Sequence, residues 1–301
     1  GSKAAFVEGR RLARIAMSAQ NGSLQTRGAP LESIFKPGSV LTAAVSILFW
    51  TYVTLHSLLI GFPVALLIRI YHVFFDGSKR VLQHKWTTIW AYHYHHWCPF
   101  QRTSVIGKEK IAKLNGRAVI FVCNHQSTTD IMLMYGIETH FKWVSKKSNF
   151  YIPLIGWNMA LNDYVPVERG QKESIERMFD HCKRHLDAGS SLVFFPEGSR
   201  SVDGTLKPFK HGAFSLALET KVPIVPLVLD GTSDCLTTGK GTTVGVYNGG
   251  GWDLTLEVLD PILPESFPET AQELSDRARD SISAQLQRIQ LRRSDVKAKS
   301  Q

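Results

Sequence analysis

Apolar positions along this chain follow two alternating patterns. Ala118-Val119-Ile120-Phe121-Val122 and Ser191-Leu192-Val193-Phe194-Phe195 are short, compact apolar runs halted by polar residues, as buried strands are. Glu173, Ile175, Met178, Phe179, Cys182 and Leu186 instead recur at helical spacing, and Gly189 supplies a stop. Read this way, the pattern predicts strands near 118–123, 141–145, 163–167, 191–195, 222–229 and 253–259. It predicts helices near 130–138, 150–160, 171–188, 211–220 and 268–292. Such alternation argues for an α/β domain over residues 103–292, with a largely parallel or mixed sheet flanked by helices.

Ahead of that domain the pattern changes. From Pro37 to Ile68 there is no Asp, Glu, Lys or Arg. As one helix this stretch would run about 48 Å, longer than a hydrocarbon core of roughly 30 Å. Gly61-Phe62-Pro63 offers a break, so two readings follow: a spanning helix near 40–60, or a helical hairpin dipping into one leaflet. Basic residues flank both sides, which places both ends on the cytoplasmic face and favours the hairpin. Trp86, Trp90, Tyr92, Tyr94 and Trp97 follow among lysines and histidines and read as an interfacial helix. Residues 37–102 therefore form a membrane-docking unit. His93, His95 and His96 lack carboxylates or cysteines at ligand spacing, so no metal is expected there.

Residues 1–36 are basic. They open on Gly1-Ser2, which resembles a cleavage scar, and carry Phe6, Leu12, Ile15 and Ala16 at near-helical spacing. The tail 293–301 is also basic. The whole chain of 301 residues has a formal charge of +9 and a pI near 9.4, which calls for an anionic partner. Nucleic-acid motifs are absent, and the apolar segment points to a lipid bilayer instead. The four cysteines are scattered without C-x-x-C spacing, which suits a reducing cytoplasmic setting. The glycine-rich stretch 232–252 lacks a phosphate-loop pattern, so no nucleotide site is expected there.

The candidate chemistry begins where the first strand ends, at Asn124-His125-Gln126-Ser127-Thr128-Thr129-Asp130. A strand end feeding a helix is where open α/β sheets place reactive groups. A histidine oriented by a carboxylate is a general base held in one tautomer. A plainer reading makes His125 a turn residue and Asp130 a helix cap. A second block, Phe195-Pro196-Glu197-Gly198-Ser199-Arg200-Ser201, follows another strand, and Tyr164-Val165-Pro166-Val167-Glu168-Arg169 and Val222-Pro223-Ile224-Val225-Pro226-Leu227 complete a set of four.

Together these blocks resemble the 1-acyl-sn-glycerol-3-phosphate acyltransferase family of glycerolipid synthesis, over about residues 118–230. The resemblance implies the glycerolipid acyltransferase fold, in some members preceded by a two-helix membrane-docking motif. It implies His125 and Asp130 as the catalytic pair and the Glu197-Gly198-Ser199-Arg200 turn as acceptor-binding. The chain holds no G-x-S-x-G nucleophile elbow, so direct attack of an acceptor hydroxyl on a thioester in a ternary complex is expected. Arg200 suits bidentate phosphate contact, and Gly198 permits close backbone approach. Glu197 either hydrogen-bonds the glycerol or holds Arg200. Arg169 matches the arginine that ends the family's second block, Lys146 resembles a lysine that members direct at the phosphate, and Lys210 is a weaker candidate near a helix start; all three are candidates for the acceptor phosphate. Departures include Val-Pro-Val-Glu-Arg in the second block and Ser148-Asn149 where Glu-Leu is frequent, which leaves acceptor choice open.

The reading is a membrane-docked enzyme that needs no cofactor. It transfers a fatty acyl chain from acyl-CoA or acyl carrier protein to the sn-2 hydroxyl of lysophosphatidic acid, giving phosphatidic acid. Its rivals are transfer to another lysophospholipid or a lyso-ornithine lipid, a lipid hydrolase, and a non-catalytic lipid-binding membrane protein.

Overall fold

The computed structural model describes residues 40–75, 80–96, 101–201, 204–237, 246–247 and 252–299. The segment 1–36 with its expected helix, Trp97, most of the glycine-rich stretch and the last two residues lie outside them. In chain order come α1 (Val40–His56), a π turn (Ser57–Gly61), α2 (Phe62–Phe75), α3 (Val81–His96), β1 (Gln101–Ile106), α4 (Lys108–Ala112), β2 (Ile120–Cys123) and α5 (Thr129–Met134). Then follow β3 (Phe141–Lys146), α6 (Ile155–Leu161), β4 (Val165–Val167), α7 (Lys172–Asp187), β5 (Ser191–Phe194), α8 (Gly212–Thr220) and β6 (Ile224–Asp230). Last come α9 (Thr232–Cys235), β7 (Leu236–Thr237), β8 (Val246–Tyr247), β9 (Trp252–Val258) and α10 (Ala271–Lys299).

Seven strands form one mixed sheet in the order β1-β9-β6-β2-β5-β3-β4. Every pairing in it is parallel except β6 with β9. The carboxyl ends of β2, β3, β4, β5 and β6 therefore share one edge of the sheet, the position that α/β architecture reserves for ligands. Strand β1 escapes the sequence reading. It is an outer strand with only partial burial at Thr103 and Val105, so it carries no compact apolar run.

The side-chain alternation of β2 and β5 divides the core into two layers. Phe121 and Val193 join Leu133, Met134 and Trp143 on one face. Ile120, Val122 and Leu192 join Met178, Cys182, Phe214, Leu274 and Ile282 on the other. Helix α7 buries Met178, Cys182, His185 and Leu186 on this second face, each apolar side chain contributing about 1.5–3 kcal/mol. It stops at Gly189, which takes a left-handed φ of 77°.

At the N-terminal end the structure corrects the position of the hairpin. Gly61-Phe62-Pro63 does not reverse the chain: helix runs on from α1 through the π turn into α2. Proline lacks an N–H and crowds the carbonyl four residues back, and a π turn just before it relieves both problems. The reversal falls between α2 and α3. Trp86 Nε1 donates to the Gly61 carbonyl at 2.9 Å, while the Tyr94 hydroxyl lies 3.0 Å from Ser57 Oγ. Later residues of α3 thus meet earlier residues of α1–α2, an antiparallel hairpin. Trp90 and Tyr94, expected at the headgroup level, are buried inside it, because their N–H and O–H find partners there. His93 meets Tyr52. The outer face of the long helix leaves Ile47, Leu48, Leu59, Leu67 and Phe74 at least 65% exposed, far more apolar surface than a soluble helix shows.

Candidate active site

Strand β2 delivers Asn124 and His125 to the shared edge. Asn124 is 2% exposed and hooks onto β6 with its side chain: Nδ2 donates to the Leu229 carbonyl, and Oδ1 accepts the Leu229 N–H, both at 2.8 Å. The amide thereby prolongs the β2–β6 ladder by one residue and fixes where His125 emerges. The sequence reading gave Asn124 no such task.

Asp130 sits in the first turn of α5 and is fully buried. Its Oδ2 lies 2.8 Å from His125 Nδ1 and accepts the backbone N–H groups of Gln126 at 2.6 Å and Ser127 at 2.8 Å. One oxygen thus both orders the turn and orients the imidazole. Nδ1 therefore carries the proton and Nε2 is left as the basic nitrogen. The ring stacks on Phe195, with centroids 3.9 Å apart and planes 16° from parallel. Trp143 stacks on Phe195 in turn. His125 keeps 15% of its side chain exposed, an opening toward solvent beside a dry wall.

The β5 block closes the site from the next strand. Glu197 is 5% exposed, and burial raises its pKa against the pull of its backbone donors. Its carboxylate accepts the N–H of His125 at 2.7 Å and the N–H of Lys207 at 3.0 Å. Glu197 thus ties backbone groups of two loops together, partners that neither expected task named. Ser201 N donates to the His125 carbonyl at 2.8 Å. Arg200 is half-buried and donates to Thr128 Oγ1 at 2.9 Å. Gly198 has φ 74°, and a Cβ there would fall 2.8 Å from Lys210 Cε. Lys210 thus lies over the turn with its side chain exposed. Lys207, absent from the sequence candidates, reaches Ser199 Oγ at 3.2 Å and the Arg200 carbonyl. Nothing in its spacing distinguishes it from a solvated lysine.

Lys146 ends β3, and Arg169 follows β4. Both are exposed on the same sheet edge as His125. Partial desolvation of its guanidinium lowers the Arg169 pKa.

A second polar cluster, also unforeseen, lies at the other end of β4. Asp163, His181 and His185 bring potential ligand atoms within 4.8 Å of one another. Asp163 faces Arg80 at 3.9 Å, and Lys142, fully buried, donates to the Asn162 carbonyl at 2.7 Å. His181 and Arg80 hold the Asp163 carboxyl well below the usual carboxylate range, and burial pushes Lys142 down to about 7. The carboxylate already faces the Arg80 guanidinium and has Lys142 nearby, which makes a divalent ion a poor tenant.

A family model described as Acyltransferase matches residues 102–230. A 1-acyl-sn-glycerol-3-phosphate acyltransferase of Chlamydomonas reinhardtii is 32% identical over 259 residues, covering 85% of this chain and 73% of its own. The chloroplastic enzyme LPAT1 of Arabidopsis thaliana is 37% identical over 64% of this chain and 51% of its own length. The Saccharomyces cerevisiae 1-acyl-sn-glycerol-3-phosphate acyltransferase is 34% identical over 62% of this chain and 60% of its own. Among solved structures, the LPA acyltransferase PlsC from Thermotoga maritima matches with a TM-score of 0.65 at 22% identity. That match covers 83% of this chain and 97% of PlsC, and shows a shared fold. A buried His–Asp pair at a sheet edge, in a chain so related, makes this protein an acyltransferase of the 1-acyl-sn-glycerol-3-phosphate acyltransferase family.

Proposed function

We propose that the protein transfers a fatty acyl group from a thioester donor to the sn-2 hydroxyl of lysophosphatidic acid, giving phosphatidic acid. The observation that carries this reading is the His125–Asp130 contact at 2.8 Å, which leaves the second imidazole nitrogen as the basic one. The named activity of the relatives supports the choice of reaction and of acceptor.

A thioester is already activated, so the enzyme must chiefly position and deprotonate the acceptor. His125 Nε2 takes the hydroxyl proton as the oxygen attacks the thioester carbonyl, and Asp130 stabilises the resulting imidazolium. Collapse of the tetrahedral intermediate breaks the C–S bond, and the imidazolium returns its proton to the leaving thiolate. No covalent enzyme intermediate is required. Arg200, Lys210, Lys146 and Arg169 supply positive charge along the edge for the acceptor phosphate, while Glu197 and Gly198 shape the turn beneath it. Long-chain substrates reside in membranes, and the exposed apolar face of α1 and α2 suits docking on a bilayer with the catalytic domain on the cytoplasmic face.

The test is acyl transfer by purified protein in vesicles, with a long-chain acyl donor and a panel of lysolipids, for wild type and His125→Ala. Phosphatidic acid from wild type alone supports the reading. Acylation of a different lysolipid would change the acceptor. Release of free fatty acid would indicate hydrolysis, and vesicle binding without turnover on any donor would indicate a lipid-binding protein.

A further inference from the structure

Away from the His125 site, a cavity of about 470 Å³ opens between the outer strand β4 and helix α7. That volume falls in the range of small-molecule sites. One wall is built by Arg177, His181 and Arg184, spaced so that all three lie along one face of α7. The other wall includes Lys147 and Glu168, which pair with each other at 3.0 Å. Asp180 is the remaining carboxylate at the rim. Among the described residues, neither the Arg177 nor the Arg184 guanidinium has a carboxylate or hydrogen-bond partner. Two unpaired arginines aimed at one concave site are an arrangement suited to phosphate, which the planar guanidinium grips through paired N–H groups.

Position narrows the choice of ligand. The cavity reaches from Glu168 and Lys147, after the carboxyl ends of β4 and β3, to His181, which meets Asp163 at the other end of β4, and β4 lies three strand steps from β2, the strand that carries His125. At strand spacing this is about 14 Å. A pantetheine arm has about the length of four or five extended residues, roughly 16 Å, so its sulfur can approach His125 while the diphosphate stays at the Arg177 end of the cavity, with Arg184 about two turns farther along α7 left for the terminal phosphate. Helix α7 belongs to the layer of the core opposite the one that α1–α3 cover, so its wall does not face the apolar hairpin surface. A concave pocket of this size also suits a nucleotide better than the convex acidic face of a carrier protein.

We propose that the cavity between β4 and α7 binds the phosphorylated adenosine end of coenzyme A, with Arg177 and Arg184 as phosphate ligands, and so selects acyl-CoA as the donor. The assignment rests on the proposed thioester-dependent transfer and names the donor for it. No bond is made or broken in the cavity; it holds the donor's head while the acyl group lies at His125.

The experiment measures calorimetric binding of coenzyme A, its 3′-dephospho form and lysophosphatidic acid to the full chain in detergent. Wild type is compared with Arg177→Ala, Arg184→Ala and the double variant. Both side chains lack partners, so folding is not at stake, and thermal melting checks this. Roughly tenfold weaker coenzyme A binding for each substitution is expected, with a smaller preference over the dephospho form in the double variant. Arg177→Lys should restore part of the affinity. Equal coenzyme A binding in wild type and double variant would overturn the proposal. So would weaker lysophosphatidic acid binding with coenzyme A unaffected, which would make the cavity a lipid-headgroup site. Because binding is read without turnover, arginine-dependent coenzyme A binding in a protein that acylates no lysolipid would sink the proposed reaction and leave this site standing.

Discussion

Asp130 Oδ2 receives three donors at once: His125 Nδ1 at 2.8 Å, Gln126 N at 2.6 Å and Ser127 N at 2.8 Å. The strand-to-helix turn and the histidine tautomer thus depend on one oxygen. Asp130→Asn keeps a carbonyl for the two backbone donors but removes the negative charge that favours imidazolium. We expect kcat to fall about 100-fold or more with a thermal midpoint close to wild type. Steady-state kinetics beside a melting curve checks this, and a collapse of the fold with normal specific activity in the folded fraction would contradict it.

Gly198 and Lys210 give a second test. The left-handed φ at Gly198 costs a non-glycine residue about 1–2 kcal/mol, and a Cβ would meet Lys210 Cε at 2.8 Å. The end of a lysine is flexible, so Gly198→Ala should be accommodated by displacing the ammonium group. The expected result is a modest loss of stability with a several-fold rise in the acceptor KM. An unchanged acceptor KM would remove Lys210 from the phosphate site.

The hairpin can be probed at its tightest contact. A Cβ on Gly61 would fall 2.3 Å from the Trp90 ring, and Trp86 donates to the Gly61 carbonyl. Gly61→Ala should therefore force α3 away from the π turn, costing about 1–3 kcal/mol as overpacking does. Tryptophan fluorescence should shift to the red and vesicle partitioning should change, while the sheet-edge geometry around His125 stays intact. An emission spectrum identical to wild type would show that the contact is looser than described.

The His125–Asp130 pair and the parallel strands were legible in the sequence for the same reason. Ile120–Cys123 and Ser191–Phe194 are covered on both faces, so they read as unbroken apolar runs, and the reactive residues follow directly at their ends. Strand β1 was not legible, because an outer strand half-open to solvent needs no such run. The hairpin was legible in composition but not in geometry. The sequence shows a proline that should break a helix, whereas the π turn that accommodates it is set by packing against Trp86 and Trp90. Glu197 was recognised, yet its partners were not, since backbone N–H donors leave no mark in a sequence. The Asp163 cluster was invisible because its members come from the start of β4, the middle of α7 and the hairpin, brought together only by the fold.

That cluster makes the last prediction. His185 is buried, its Nε2 donates to the Asp163 carbonyl at 2.8 Å, and its ring stacks on His181. Burial, with Lys142 and His181 nearby, lowers its pKa to about 4, against the opposing pull of Asp163. Arg80 also faces this group through Asp163. The ordinary value for histidine is about 6.5, so between pH 6.5 and 4 the unfolded chain binds more protons at this site than the folded one. Stability should therefore fall as pH drops through that window, by about 2–3 kcal/mol in all, and the His185 contribution should level off below pH 4. Asp163 adds a separate loss only below the ordinary carboxylate range, near pH 4, because its own pKa is depressed. His185→Gln keeps an N–H donor for the Asp163 carbonyl and cannot titrate. Urea denaturation at intervals from pH 7.5 to 4 should show the variant losing clearly less stability than wild type across the upper window. Parallel curves for the two proteins would mean that His185 takes up its proton at the ordinary pH in the fold, and that burial and Lys142 perturb it less than the structure implies.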